Sequence, residues 1–227
     1  FIATGLAILM AGAKPIFADI DPQTGNICKN SIIEKISNKT KAIIPVHWGG
    51  NPCDVKSINE IASENNLTVI EDAAHAFGAS IEGKPVGSLS DITCFSFQAI
   101  KFLTTGDGGL ICVKDDALYN QIKRRKWFGF DKSNLTRKFE GDRDCLINEL
   151  GFKYHMNDIA AAIGLGNLVG AKERLNKRKS IANLYSNALS KIDGVKLLKK
   201  NGEPSNWLYT ILVENRIEFI KKMKSKN

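Results

Sequence analysis

The sequence predicts an α/β fold built on a mostly parallel sheet, and three observations lead there. From Phe1 to about Val113, short apolar runs of strand length alternate with amphipathic stretches of helical spacing, the pattern of strands joined by crossover helices. Turn-forming residues separate these runs, as at Asp21-Pro22-Gln23-Thr24-Gly25-Asn26 and Glu82-Gly83-Lys84-Pro85. At 227 residues with 43% hydrophobic content, the chain can bury one sizeable core, or one core plus part of a second.

Taken in order, Ile2 to Ala13 carries helical spacing and Pro15 to Ala18 reads as a strand. Ser31 to Ile36 is a short helix and Ala42 to Val46 a strand. Val55 to Asn65 is an amphipathic helix with Asp54 as its expected N-cap. Thr68 to Glu71, Ile92 to Ser96 and Leu110 to Val113 supply the remaining strands, and Glu82 to Pro85 turns between two short ones. Ala117 to Lys126 is again helical. Gly129 to Gly151 is polar and irregular, a long surface excursion of the kind that is functional or disordered in compact domains. Asn157 to Leu189 reads as one long helix or two, with the small residues Ala160 to Gly164 permitting close packing. Gly194 to Leu198 and Trp207 to Val213 are strand-like, and Phe219 to Asn227 begins another amphipathic helix.

Composition excludes several classes of function. No apolar run of about 18 residues is present, and the opening residues lack the basic flank of a signal peptide, so a cytoplasmic chain outside the membrane is expected. The five cysteines are scattered without a Cys-x-x-Cys pair, which points to buried free thiols, not to disulfides or a metal site. The formal charge of +8 raises the question of nucleic acid, but much of the excess lies from Lys191 onward, beside no recognisable binding module. A solvated lysine-rich face is the expectation there. Because the chain opens on Phe1 inside an apolar helical pattern and stops as a helix begins, further sequence is expected on both sides.

The stretch from Val69 to Gly109 carries the chemistry. Glu71-Asp72 stands at the carboxyl end of one predicted strand, Ser96 at the end of another, and Lys101 a few residues on. Ligands collect at the carboxyl ends of strands in open α/β sheets, so an acid, a hydroxyl and an amine are set to converge on one crevice. Pyridoxal phosphate (PLP) needs such a set: an amine for its aldehyde, a carboxylate to keep its ring nitrogen protonated, and hydroxyl and backbone donors for its phosphate. A lysine with an ordinary pKa near 10.4 must be desolvated or placed near positive charge to act as a nucleophile.

The runs Val69-Ile70-Glu71-Asp72-Ala73-Ala74-His75 through Ala79, Gly87-Ser88, Asp91 through Ser96-Phe97-Gln98-Ala99-Ile100-Lys101, and Thr104 through Gly109 together resemble the nucleotide-sugar aminotransferases of the DegT/DnrJ/StrS family. The likeness extends upstream through Gly12 to Asp21 and Ile43 to His47, and downstream through Gly151 to Gly164. The resemblance implies a fold-type I PLP-transferase large domain over residues 1–165, with helices on both faces of the sheet. Residues 166–227 would then form a connecting helix and the start of an incomplete small α+β domain.

By the same resemblance, Lys101 is the residue that covalently carries PLP, Asp72 pairs with the ring nitrogen, His75 lies near the ring oxygen, and Ser96 binds the phosphate. Against these stand blander readings: Asp72 as a turn cap, His75 as a structural histidine, Ser96 as a satisfied strand-end hydroxyl. Phe1 falls where the family stacks an aromatic on the cofactor. The family's phosphate-binding loop before that position is absent, so these 227 residues alone are expected to bind PLP more weakly than the intact gene product. In much of the family a Gly-x-Asn-Tyr-Arg-Met motif serves the neighbouring subunit of a homodimer; here Gly151-Phe152-Lys153-Tyr154-His155-Met156 departs from it, leaving Lys153 as the residue to reach across or as a solvated lysine.

The implied reaction moves nitrogen from an amino acid, L-glutamate by resemblance, to a nucleoside-diphosphate keto-hexose that feeds surface polysaccharides such as lipopolysaccharide, with no metal involved. Three alternatives stay open. A dehydratase of the same family has histidine where Lys101 stands; a non-catalytic sugar-nucleotide binder needs neither Asp72 nor Lys101; a nucleic-acid binder would show strong salt dependence.

Overall fold

The computed structural model describes residues 1–131, 147 and 149–226; Cys145 and most of the excursion expected between Gly129 and Gly151 lie outside the described residues. In chain order the strands are β1 (Ala42–Ile43), β2 (Thr68–Asp72), β3 (Ser80–Ile81), β4 (Lys84–Pro85), β5 (Ile92–Ser96), β6 (Gly109–Val113), β7 (Val195–Leu197) and β8 (Ile211–Val213). The helices are α1 (Ile2–Met10), α2 (Lys29–Lys35), α3 (Val55–Glu64), α4 (Asp116–Arg125), α5 (Asp158–Leu168), α6 (Ala171–Leu189) and α7 (Arg216–Lys224).

The central sheet has the order β1-β2-β5-β6, with the first two pairings parallel and β6 antiparallel at the edge. A mostly parallel α/β sheet is what the sequence pattern predicts. Parallel pairing brings the carboxyl ends of β1, β2 and β5 to one edge, and a bridge between Val46 and Asp72 prolongs the first pair to that edge. β3 and β4 form a hairpin through Glu82-Gly83, while β7 and β8 pair antiparallel in a separate small sheet.

Strand residues alternate between faces, and here the alternation separates structure from chemistry. Val69 and Glu71 of β2, with Thr93 and Phe95 of β5, point to one face and are buried. That face packs on α3, whose Val55, Ile58, Ile61 and Ala62 form a single buried stripe at helical spacing with Ile32 and Ile43. Side chains of this size contribute about 1.5–3 kcal/mol each when fully buried. Asp54 caps the helix as expected, its carboxylate accepting the Ser57 N–H at 3.2 Å. A second cluster, Ala73, Ala76, Ala79, Val86, Phe95, Phe97 and Leu103, fills the space beneath the β3–β4 hairpin. Asp72, Cys94 and Ser96 point to the opposite face, where Thr4 of α1 meets Asp72.

Four expectations need correction. Pro15 to Ala18 joins no sheet among the described residues; Pro15 has no N–H to donate, Ile16 and Phe17 are exposed, and the backbone is tied from Asp19 onward, through its bonds to Ser31 and Cys28 and a bridge between Ile20 and Ile27. The strand expected from Ala42 pairs regularly only to Ile43. The strand expected over Trp207 to Val213 begins at Ile211, because residues 205–208 spend their hydrogen bonds on the large sheet's loops. Of the four described cysteines, all free, only Cys53 is buried, where desolvation first and the Glu71 charge second push its thiol pKa far up. The long helical stretch from Asn157 is two helices broken at Gly170, which adopts a left-handed φ of 71°.

Among the described residues, no helix is long and apolar enough to cross a membrane.

Candidate active site

The Asp72 carboxylate is gripped on both oxygens. Its Oδ2 accepts the Thr4 hydroxyl at 2.6 Å and its Oδ1 accepts the Ala74 N–H at 3.1 Å. Its backbone is fixed too: Asp72 N–H donates to Pro45 O at 2.9 Å, and Asp72 O accepts His47 N–H at 3.1 Å. The carboxylate therefore has one orientation at the carboxyl edge of the sheet.

Lys101 is presented by a tight turn after β5. Gln98 N–H donates to Ser96 Oγ (3.3 Å), Ile100 N–H to Gln98 Oε1 (3.1 Å), and Lys101 N–H to Gln98 O (2.9 Å). Thr105 N–H then returns to Phe97 O at 2.9 Å and closes the loop. Burial lowers the Lys101 pKa below the ordinary 10.5, while the nearby Asp72 charge pulls it back up. A lysine held this way keeps a larger fraction of free amine near neutrality than a solvated one.

His75 feels the charge of both groups. Burial first, then the Lys101 charge, drive its pKa down to about 4, with Asp72 acting in the opposite sense. The imidazole is thus neutral at physiological pH. Its Nδ1 is buried and has no hydrogen-bond partner among the described residues, a cost of about 1–3 kcal/mol that a bound polar group would relieve. An oriented carboxylate, a partly desolvated amine and an orphaned imidazole nitrogen within one another's electrostatic reach fit the needs of a PLP ring.

Ser96 points to the same sheet face as Asp72, two residues beyond the position paired with it. Phe1 stands at the start of α1, three residues from Thr4, and is 93% exposed. Lys153 is exposed and its backbone bridges Trp127.

Beneath Asp72, on the other face of β2, lies a buried hydrogen-bond network around Glu71 that the sequence pattern does not single out. His47 and Glu71 are both 0% exposed, with Nε2 and Oε2 2.8 Å apart. His47 Nδ1 accepts the Cys53 N–H at 2.9 Å, which leaves the ring hydrogen on Nε2, aimed at Glu71. The other Glu71 oxygen accepts the Thr93 hydroxyl (3.0 Å) and the Ser90 N–H (3.1 Å). Burial opposes ionisation of Glu71, but the hydrogen bonds from His47, Thr93 and Ser90 outweigh it and hold the carboxyl below its usual range.

The chain's later part returns to the crevice as a strap. Asn201 N–H donates to Asn51 Oδ1 (2.9 Å), Ser205 N–H to Gly50 O (3.1 Å), Leu208 N–H to Gly49 O (3.0 Å), and Ser205 Oγ to His75 O (2.6 Å). Gly50 has a φ of 90°, and a Cβ there would overlap Ser205 Oγ and lie 2.8 Å from His75 O. Gly50→Ala is accordingly expected to destabilise the protein by about 1–3 kcal/mol, through strained backbone and displaced strap, read as a lower melting temperature. An unchanged melting temperature would show that the strap is not held against Gly50.

A family model of the DegT/DnrJ/EryC1/StrS aminotransferases matches residues 1–227. GDP-perosamine synthase of Escherichia coli O157:H7 is 38% identical over 218 residues, covering 96% of this chain and 57% of that protein. The crystal structure of AtS13 from Actinomadura melliaura superposes with a TM-score of 0.93 at 37% identity, over 99% of this chain and 61% of the other. That of the sugar aminotransferase CalS13 from Micromonospora echinospora gives 0.93 at 33%, over 99% and 62%. The chain spans about three fifths of the length of the relatives it matches.

Proposed function

Because the chain belongs to the DegT/DnrJ/EryC1/StrS aminotransferase family, whose cofactor is PLP, we propose that the intact protein transfers an amino group from L-glutamate to a nucleoside-diphosphate keto-hexose. The observation that best supports this is the convergence on His75 of the Lys101 and Asp72 charges, around an imidazole nitrogen with no partner among the described residues. Bound PLP supplies an aldehyde for an amine and a protonated ring that withdraws electrons from the bond being broken.

In this reading the chain's own residues do the following. Asp72, oriented by Thr4 and Ala74, faces the ring nitrogen; His75 offers Nδ1 to the ring oxygen; Ser96 turns its hydroxyl to the phosphate. Lys101 holds the cofactor, and its released amine carries a proton between the two carbons that exchange it. Phe1 lies over the ring face. Residues 1–165 hold the cofactor, and 166–227 begin the small domain. The site is completed in a homodimer, with Lys153 reaching toward the other subunit's substrate, and the enzyme works in the cytoplasm, supplying amino sugars to surface polysaccharides such as lipopolysaccharide.

The test is to load the intact protein with PLP and offer a panel of nucleoside-diphosphate keto-hexoses with glutamate. An aminated sugar nucleotide detected by mass is the expected result. No visible cofactor absorbance and no product across the panel would overturn the proposal.

A further inference from the structure

Trp207 reaches the crevice from the strap and touches two of its residues. Its indole stacks on the His75 imidazole with centroids 3.9 Å apart and planes 19° from parallel. The Lys101 Nζ lies 4.2 Å from an indole ring centroid, within cation–π range. Its indole N–H donates to Ile100 O at 3.2 Å, so the same side chain fixes the backbone next to Lys101 and the end of the Lys101 side chain. Trp207 is itself aimed. Asn206 adopts a left-handed φ of 53°, its side chain donates to Pro204 O at 3.0 Å, and Ser205 and Leu208 on either side are tied to Gly50 and Gly49.

We propose that Trp207 is a positioning residue for Lys101, pinning its amine beside His75 and Asp72 so that it meets the cofactor and substrate in one geometry. The strap from Lys199 to Leu208 thereby links the small β7–β8 sheet to the reactive amine. The proposal rests on Lys101 being that amine.

The test uses the intact protein freed of cofactor, with its lysines reductively methylated with a carbon-13 label. The Lys101 signal, identified by its loss in Lys101→Arg, is expected upfield of exposed lysines such as Lys84, because it sits over an aromatic face. It should move back among them in Trp207→Leu and stay partly shifted in Trp207→Phe. In the loaded enzyme, Trp207→Leu should lower kcat roughly ten- to a hundredfold with KM for the sugar nucleotide little changed, and Trp207→Phe should restore most of the loss. A wild-type Lys101 signal lying among those of exposed lysines overturns the proposal without any Trp207 variant having to fold. Unchanged kcat in Trp207→Leu overturns it too. If cofactor absorbance survives Lys101→Ala, the functional reading fails instead, and the methyl shift still reports on the contact.

Discussion

Lys101→Ala in the intact protein is expected to abolish covalent cofactor binding, seen as loss of its visible absorbance, and to lower transamination more than about a thousandfold. The proposed function gives this one side chain two roles, the amine that holds the cofactor and the base that moves the proton. Lys101→Arg should fail as badly, because a guanidinium stays protonated and cannot act as a nucleophile. A small primary amine added to Lys101→Ala should recover part of the proton transfer. Lys84→Ala, on the exposed β3–β4 hairpin, serves as the control and should leave both readouts untouched. Retention of absorbance and activity in Lys101→Ala would remove the basis of the functional reading.

The second large effect is on stability. Glu71→Ala would leave the His47 N–H, the Thr93 hydroxyl and the Ser90 N–H without their acceptor at a site with no exposure. An unsatisfied buried polar group costs about 1–3 kcal/mol, so three of them together cost at least about 3 kcal/mol, which for a chain of this size lowers the melting temperature by roughly 10 °C. Glu71→Gln keeps an acceptor oxygen and should cost less. The pH dependence separates charge from shape. Folding lowers the Glu71 pKa below the ordinary 4.5, so the carboxylate stabilises the protein fully above that value, and the contribution is lost as pH falls through the lower folded pKa. Wild type should therefore lose more stability than Glu71→Gln between neutral pH and about pH 3. Parallel melting curves for the two against pH would show that Glu71 contributes nothing as a charge.

The network also bears on chemistry. Glu71 and Asp72 are adjacent in sequence, yet the pleat sends one carboxylate into the core beside His47 and the other into the crevice beside Thr4. One anchors the end of the strand from below, and the other presents its charge above.

Much of this was legible in the sequence because it is local. The strand at Ile92 to Ser96, the helix after Asp54 with its cap, and the mostly parallel sheet follow from periodicity and turn residues within a few positions of one another. The ordered run from Val69 to Gly109 sets Asp72 and Ser96 at strand ends with Lys101 a few residues on, and the family resemblance adds His75. Cys94 and Ser96 sharing a face with Asp72 follows from the same pleat.

The rest was not local. Thr4 meets Asp72 across 68 positions, and Trp207 meets Ile100 across 107. No periodicity reports such pairs, because loop closure allows any of many partners, and packing selects one. Trp207 looked like strand, since an aromatic followed by β-branched residues has strand propensity; the tertiary fold instead gave its neighbours' hydrogen bonds to Gly49 and Gly50 and its ring to His75 and Lys101. Pro15 to Ala18 reads as strand through Ile16 and Phe17 and finds no partner strand among the described residues. The sequence by itself determined which residue types stand at the ends of which strands. Tertiary structure alone decided which buried polar atoms are satisfied and which, like His75 Nδ1, have no partner among the described residues, because burial and long-range hydrogen bonding are properties of the folded chain and not of any short stretch of it.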